Sequence, residues 1–260
     1  MFRWRTGRPP GPKAESDAMK PYVICHMVTS IDGKILGERW GRLPRVGDSG
    51  KLFETTAASF GIDAWLVGNT TMKEFAGPPV RLPASNDRVP RQDYVADLRA
   101  RRFAIGADAK GVLRFRQPEV NGDHIVVLVS EKVSDAYLTH LRAVGVSYLF
   151  CGRKHVDVRR ALRKIGARLR LRKLLLEGGG VFNGSVLAAG EIDEISQVIA
   201  PIADGGTGIT SVFDVPGPPP RMAAARLRLL EHRALPGGLI WLRYRVLGPP
   251  GRGKNRGMQG

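Results

Sequence analysis

Short apolar runs alternate along this chain with amphipathic segments, and that alternation restricts the fold more than any other feature. PYVICHMV (21–28), DAWLVG (63–68), HIVVLVS (124–130), VSYLFCG (146–152) and RKLLLEG (172–178) are rich in branched residues and nearly continuous in apolar character. Strands buried on both faces by crossover helices have this pattern. Between them lie KLFETTAASFG, SDAYLTHLRAVG and VDVRRALRKIGA, whose apolar residues recur at helical spacing. The chain is therefore expected to be α/β, with a mostly parallel central sheet and helices on both faces. Near the C-terminus, ARLRLLEHRA and LIWLRYRVL flank Pro236-Gly237-Gly238, and Arg226, Arg228, Arg243 and Arg245 alternate with apolar neighbours. That pattern predicts an antiparallel hairpin finishing one edge of the sheet.

At 260 residues and 43% hydrophobic, the chain has enough apolar surface for a substantial core. The division expected is one domain over residues 19–247, a leader over 1–18 and a tail over 248–260. Both flanks are rich in Pro, Gly and charge, the composition of disordered segments. No apolar run approaches the ~18 residues of a membrane span, and MFRWRTGRPPGPK lacks the apolar core of a secretory signal, so a cytoplasmic location is expected. Cys25 and Cys151 close apolar runs and read as core residues. His26, His124, His140, His155 and His232 show no ligand spacing, so no metal is expected. Residues 76–93 are Pro-rich and polar, too long for a simple connection, and read as a lid or a surface excursion.

Charge is the unusual bulk property: 41 Lys and Arg stand against 24 Asp and Glu, a formal +17. Such a field favours anionic partners. Residues 153–173 hold ten Lys/Arg and one acid, Asp157. Val158, Leu162, Ile165 and Leu169 form the apolar stripe of a helix there, with Arg159, Arg160, Arg163 and Lys164 mostly turned away from it. A solvated basic face, attraction of a phosphorylated ligand and nucleic-acid binding are the three readings. The last lacks the interleaved aromatics of a stacking platform, which makes nucleic acid an unlikely partner.

The stretch LLLEGGGVFNGSVL carries the first candidate site. A strand ending in glycines and leading into a helix places unobstructed backbone N–H groups and a positive dipole end at the carboxyl edge of a parallel sheet. Side-chain-free residues let a flat or phosphorylated ligand approach the backbone. Gly178, Gly179 and Gly180 could cradle such a ligand or simply form a tight turn, and Glu177 is placed to accept a hydrogen bond from it. DAWLVGNTTMKEF repeats the arrangement with Gly68, Asn69, Thr70 and Thr71, residue types that cap helices or bond phosphate. A capped helix alone would also explain them. VTSIDGKI adds Ser30, Asp32, Gly33 and Lys34 at a turn after the first strand. Asp-Gly is a common turn dipeptide, yet a turn does not explain the adjacent cation and hydroxyl.

In order, HMVTSIDGKI, VGNTTM, LLLEGGGVFNGSVLAAGEIDEI and APIADGGTG resemble the RibD C-terminal domain family, pyrimidine reductases of riboflavin biosynthesis and their dihydrofolate reductase-like relatives. The resemblance spans most of residues 21–246. It implies a dihydrofolate reductase-like fold, NADPH as hydride donor, a small heterocyclic and phosphorylated substrate, and a homodimer. It places Gly68 to Thr71 and Glu177 to Gly184, Asn183 included, on the cofactor, with Ser30, Asp32 and Lys34 facing the substrate. Where the riboflavin enzymes carry D-D-P and L-T-V-R, this chain reads KEFAGPPVRLP, and neither H-x-E nor P-C-x-x-C of the deaminase domain occurs.

Hydride transfer then sets the expected roles. Lys34 would be the electrostatic partner or proton donor for an oxygen gaining negative charge, with Ser30 and Asp32 orienting sugar hydroxyls. Glu54 is a further candidate acid, and Glu54 or Asp48 would suit a pterin ring. Ser130, Lys132, Arg153 and Lys154 follow strand ends where a 2′-phosphate could lie. A nucleotide-binding sensor without turnover and a nucleic-acid-associated basic protein are the competing functions.

Overall fold

A computed structural model describes residues 20–35, 40, 49–78, 81–82, 88–215 and 224–247. The expected leader, the tail, Asp48 and part of the 76–93 excursion lie outside the described residues. The chain runs β1 (Tyr22–Thr29), α1 (Ser49–Ala58), β2 (Ala64–Val67), α2 (Asn69–Met72), β3 (Phe103–Ala107), β4 (Glu119–Val120) and β5 (Asp123–Val129). It continues α3 (Asp135–Val144), β6 (Ser147–Phe150), α4 (Val158–Leu169), β7 (Lys173–Leu176), α5 (Gly180–Ala188), β8 (Glu194–Ile199), β9 (Leu227–Leu235) and β10 (Leu239–Val246). Among the described residues no helix is long and apolar enough to cross a membrane.

All strands join one sheet in the order β4-β5-β3-β2-β7-β1-β8-β10-β9, and β6 also pairs with β5. From β6 through β8 the pairings are parallel; β4 lies antiparallel to β5, and β10 lies antiparallel to both β8 and β9. The C-terminal hairpin thus finishes one edge as expected, turning through Gly237 and Gly238 at φ 79° and 80°. Asn121 and Gly122, at φ 51° and 83°, make the β4–β5 turn, the Asn-Gly pairing that two-residue hairpins favour. β3, β4 and β8 carry no clear strand signal in the sequence. FAIGA is short and carries Gly106 mid-strand, and that glycine makes room for Met72, whose Cγ would lie 2.6 Å from a Cβ there.

Alternation within the strands sorts the core into layers. Val126 and Leu128 of β5 join Val23 and Cys25 of β1 under α4, which contributes Leu162, Ile165 and Leu169. Ile125, Val127 and Val129 face the other way, against Tyr137, Leu138 and Leu141 of α3. Both cysteines are buried and free, as core residues. Ser134 caps α3 by accepting from the Tyr137 N–H, and Asp157 caps α4 by accepting from the Arg160 N–H.

One expectation for α4 fails. Arg159, Arg160 and Arg163 do point to solvent, but Lys164 is buried at 6% exposure. Its Nζ donates to both oxygens of Asp93 at 2.8 and 2.9 Å, and Arg168 Nε adds a third bond at 3.1 Å. Asp93 also accepts from the Phe150 N–H at 2.9 Å, so one carboxylate ties the 88–94 segment to α4 and β6. Burial is tolerated because each charge keeps its partner. Asp93→Asn is expected to lower stability by about 2 kcal/mol by leaving Lys164 without a countercharge. Urea unfolding checks this, and an unchanged midpoint would count against it.

Candidate active site

Because β2, β7, β1 and β8 are parallel neighbours, their carboxyl ends lie side by side at one edge, and the three motifs singled out in the sequence follow three of them. Gly68 follows β2, Glu177 to Gly180 follow β7, and Ser30 to Lys34 follow β1. Sheet order therefore assembles residues more than a hundred positions apart.

The three glycines of the β7 turn differ in their reasons. A Cβ on Gly178 would stand 3.0 Å from the Gly68 backbone N, and one on Gly68 would stand 2.9 Å from Phe182 Cβ. The two turns thus approach each other more closely than side chains permit. A Cβ on Gly180 would lie 2.1 Å from Ser211 O, and one on Gly184 would lie 2.3 Å from Asp214 O, so these two seat α5 on the 210–214 segment. Gly179 has no such reason: its Cβ would meet only Thr71 Oγ1, at 3.9 Å. It is the N-cap of α5, with φ −63° and ψ 159° and no side-chain cap. Among the described residues nothing accepts from the N–H groups of Gly179, Gly180 and Val181, which a helix leaves unpaired. Asn183, one turn on, is fully buried, and neither Oδ1 nor Nδ2 has a partner among the described residues.

Glu177 is half-buried beside this turn. Burial is the main cause that pushes its carboxyl up to about 7, and the charge of Glu54 on α1 adds to it. Glu54 and Glu177 therefore share one electrostatic environment, although Glu54 itself is exposed. The same burial, with the Glu177 charge second, raises the Cys25 thiol well above its ordinary range, so Cys25 is an inert core thiol.

In the β2 turn the N-cap of α2 is Gly68, without a side-chain bond, so capping does not account for the Asn69, Thr70 and Thr71 side chains. Asn69 Nδ2 instead donates to Asp108 Oδ1 at 3.2 Å. Thr70 is exposed, and Thr71 is partly buried opposite Gly179. Asp108 escaped the sequence reading. It lies just past β3, is buried, and also accepts from Tyr137 Oη and the Leu113 N–H, both at 2.8 Å. The acid ending RRFAIGAD was its available signal.

The β1 turn is built by its own polar groups. Ser30 is fully buried; its Oγ donates to Asp32 Oδ1 at 2.7 Å and accepts from the Lys34 N–H at 2.9 Å. Asp32 further accepts from the N–H groups of Asp204 and Gly205 at 2.9 and 3.0 Å. These bonds, led by that from Asp204, hold its carboxyl down to about 2. Gly33 sits at φ 79°, as this turn requires. Lys34 is half-buried, and among the described residues its Nζ reaches only Ile209 O, at 3.3 Å. Ser30 and Asp32 thus clamp the loop that carries Lys34.

Ser130, Lys132, Arg153 and Lys154 follow β5 and β6 at the same edge. Ser130 Oγ is engaged with Ala109 O at 2.6 Å, while Lys132, Arg153 and Lys154 are exposed.

A mostly parallel sheet whose carboxyl edge gathers two side-chain-free turns, open helix N–H groups and a half-buried acid defines an α/β protein with a candidate ligand site at that edge. The sequence profile of the RibD C-terminal domain matches residues 21–241, and the chain belongs to that family. It is similar to the 2,5-diamino-6-ribosylamino-4(3H)-pyrimidinone 5′-phosphate reductase of Methanothermobacter thermautotrophicus, 27% identical over 231 residues, 88% of this chain and 100% of the relative. The enzyme of the same name from Archaeoglobus fulgidus is 26% identical over 197 residues, 75% of this chain and 87% of the relative. In fold it is similar to a pyrimidine reductase-like protein of Corynebacterium diphtheriae, with TM-score 0.64 and 21% identity over 87% of this chain and 92% of the other.

Proposed function

We propose that this chain is an NADPH-dependent reductase that delivers hydride to a phosphoribosylamino-pyrimidine, the substrate class named for its archaeal relatives, in a riboflavin-type pathway. The observation that carries this reading is the open face at Gly179 beside Glu177. In this reading the nicotinamide dinucleotide would lie there, with Gly68, Asn69, Thr70 and Thr71 on the β2 side and Glu177 to Gly180, with Asn183 and Gly184 in α5, on the β7 side. Lys132, Arg153 and Lys154, exposed beyond β5 and β6 at the same edge, would meet a 2′-phosphate in this reading, which favours NADPH over NADH. When bound, the reduced nicotinamide supplies the hydride.

Reduction of the open-chain imine of the sugar adds hydride to C1 and requires one proton at nitrogen. Glu177 is close to half-protonated near neutral pH and suits that transfer. Lys34, held by Ser30 and Asp32, offsets negative charge on a substrate oxygen. The reductase unit spans residues 19–247 and works in the cytoplasm. Titration with NADPH and NADH is expected to show micromolar binding that prefers NADPH, followed by NADPH oxidation when the pyrimidine substrate is added. Binding without turnover would favour a sensor instead. Lys34→Ala is expected to reduce turnover roughly 30-fold with NADPH affinity nearly unchanged; full activity in this variant would remove Lys34 from the mechanism.

The homodimer belongs to the same proposal. The β9–β10 register puts Leu227, Leu229 and Ile240 on one sheet face, and they are 42%, 49% and 46% exposed. An apolar face on an edge strand is an association surface. Leu229→Lys is expected to give a folded monomer by light scattering where the parent is a dimer; a parent that is already monomeric refutes this.

A further inference from the structure

The basic run does not stay at one edge of the sheet. Arg153 and Lys154 lie at the carboxyl edge, but α4 carries the chain back, and Arg168 to Lys173 lie at the amino edge, where β7 begins. A cleft of about 590 Å3 opens there, between the turn before β2, the start of β3, the segment 95–101 and the α4–β7 turn. Its volume is that of small-molecule sites, about 300–1,000 Å3. Five cations line it, namely Arg101, Arg168, Arg170, Arg172 and Lys173, against two carboxylates, Asp63 and Asp97.

Arg168 is engaged with Asp93, and Asp97 Oδ1 accepts from the Arg99 N–H at 2.7 Å. Arg101, Arg170, Arg172 and Lys173 are exposed, and among the described residues none of them forms an ion pair. Unneutralised like charges gathered around one concavity repel each other and lower the cost of holding an anion. Arg170 adds a second indication. It is the C-cap of α4 at φ 59° and ψ 27°, the left-handed position that helices usually give to glycine. α3 ends in that way on Gly145, at φ 83°. In α4 the same conformation carries a guanidinium, at the mouth of the cleft. The remaining wall is apolar, from Val95, Leu98 and Leu171, with Leu98 83% exposed at the rim.

We propose that this cleft is a second ligand site that binds a nucleoside di- or triphosphate. Its phosphates meet Arg101, Arg170, Arg172 and Lys173, and its base covers the Leu98 and Leu171 wall. The site is separate from the glycine turns, because the four residues of β7 span about 13 Å between Lys173 and Glu177. Its one aromatic, Phe103, is buried at 4% exposure, so the cleft offers no stacking track for a nucleic-acid strand.

The test is calorimetric titration of the full chain with ATP, adenosine, inorganic pyrophosphate and a single-stranded oligonucleotide at moderate salt. ATP and pyrophosphate are expected to bind and to compete with each other, adenosine to bind weakly, and saturating NADPH to leave ATP affinity unchanged. Arg170→Gly keeps the backbone conformation and removes the charge, and with Arg101→Gln it is expected to weaken ATP at least tenfold. Arg163→Gln, a charge removed from α4 outside the cleft, is expected to leave it within twofold. Unchanged ATP affinity in the double variant overturns the proposal. So does an equal loss in Arg163→Gln, displacement of ATP by NADPH, or tighter binding of the oligonucleotide with the same sensitivity to the variants.

Discussion

Gly179→Val is expected to abolish NADPH binding, with affinity falling at least about 100-fold, while the protein keeps its fold. The backbone at Gly179 is extended, at φ −63° and ψ 159°, a conformation any L-residue adopts. An added Cβ meets only Thr71 Oγ1, at 3.9 Å, so nothing in the fold resists it. The branched side chain would instead occupy the space in front of the first N–H groups of α5, where a phosphate or ribose must approach. Gly184→Val is the contrasting case. Its Cβ would lie 2.3 Å from Asp214 O, and forcing the helix off that segment is expected to cost roughly 3 kcal/mol. NADPH titration and thermal melting together separate the two. A Gly179→Val protein that binds NADPH like the parent would sink the cradle.

Glu177→Gln is expected to reduce turnover about 1,000-fold and at the same time to stabilise the protein in alkaline solution. Unfolded, this carboxyl ionises near its ordinary value of 4.5, whereas in the fold it keeps its proton up to about 7. Between those values the native state binds the additional proton, so stability falls as pH rises through this window. Above it the full cost is present, up to about 3 kcal/mol. The amide removes that cost at pH 8 and changes little at pH 4, where the native and unfolded carboxyls are both largely protonated. Its pH–rate profile should also lose the limb near 7. A stability difference between variant and parent that is the same at pH 4 and pH 8, or a variant that keeps that limb, would show that the Glu177 carboxyl is not held protonated by its surroundings.

The elements most legible in the sequence are those whose local signals agree. SDAYLTHLRAVG shows its serine cap, its apolar spacing and its terminal glycine, and α3 has all three. RKLLLEG reads as a buried strand because β7 is covered on both faces. FAIGA and EISQVI are not legible as strands: each is short, and each takes its identity from pairing with β2 and β5, or with β1 and β10. Lys164 read as a surface cation because helical spacing says which face a residue is on. It does not say that Asp93, seventy-one residues away, waits on that face. The three glycines looked alike in the sequence, and only Gly179 proves to have open space before it.

The sequence by itself determined the α/β class, the carboxyl-edge motifs and the family resemblance, because apolar periodicity, caps and glycine turns are local and survive in one dimension. Tertiary structure decided which glycines serve packing, that Ser30 and Asp32 clamp a loop, that Glu177 sits in the field of Glu54, and that the basic run splits between opposite edges. Those outcomes depend on which strands lie side by side and on what burial does to a charge. Neither exists until the chain has closed on itself.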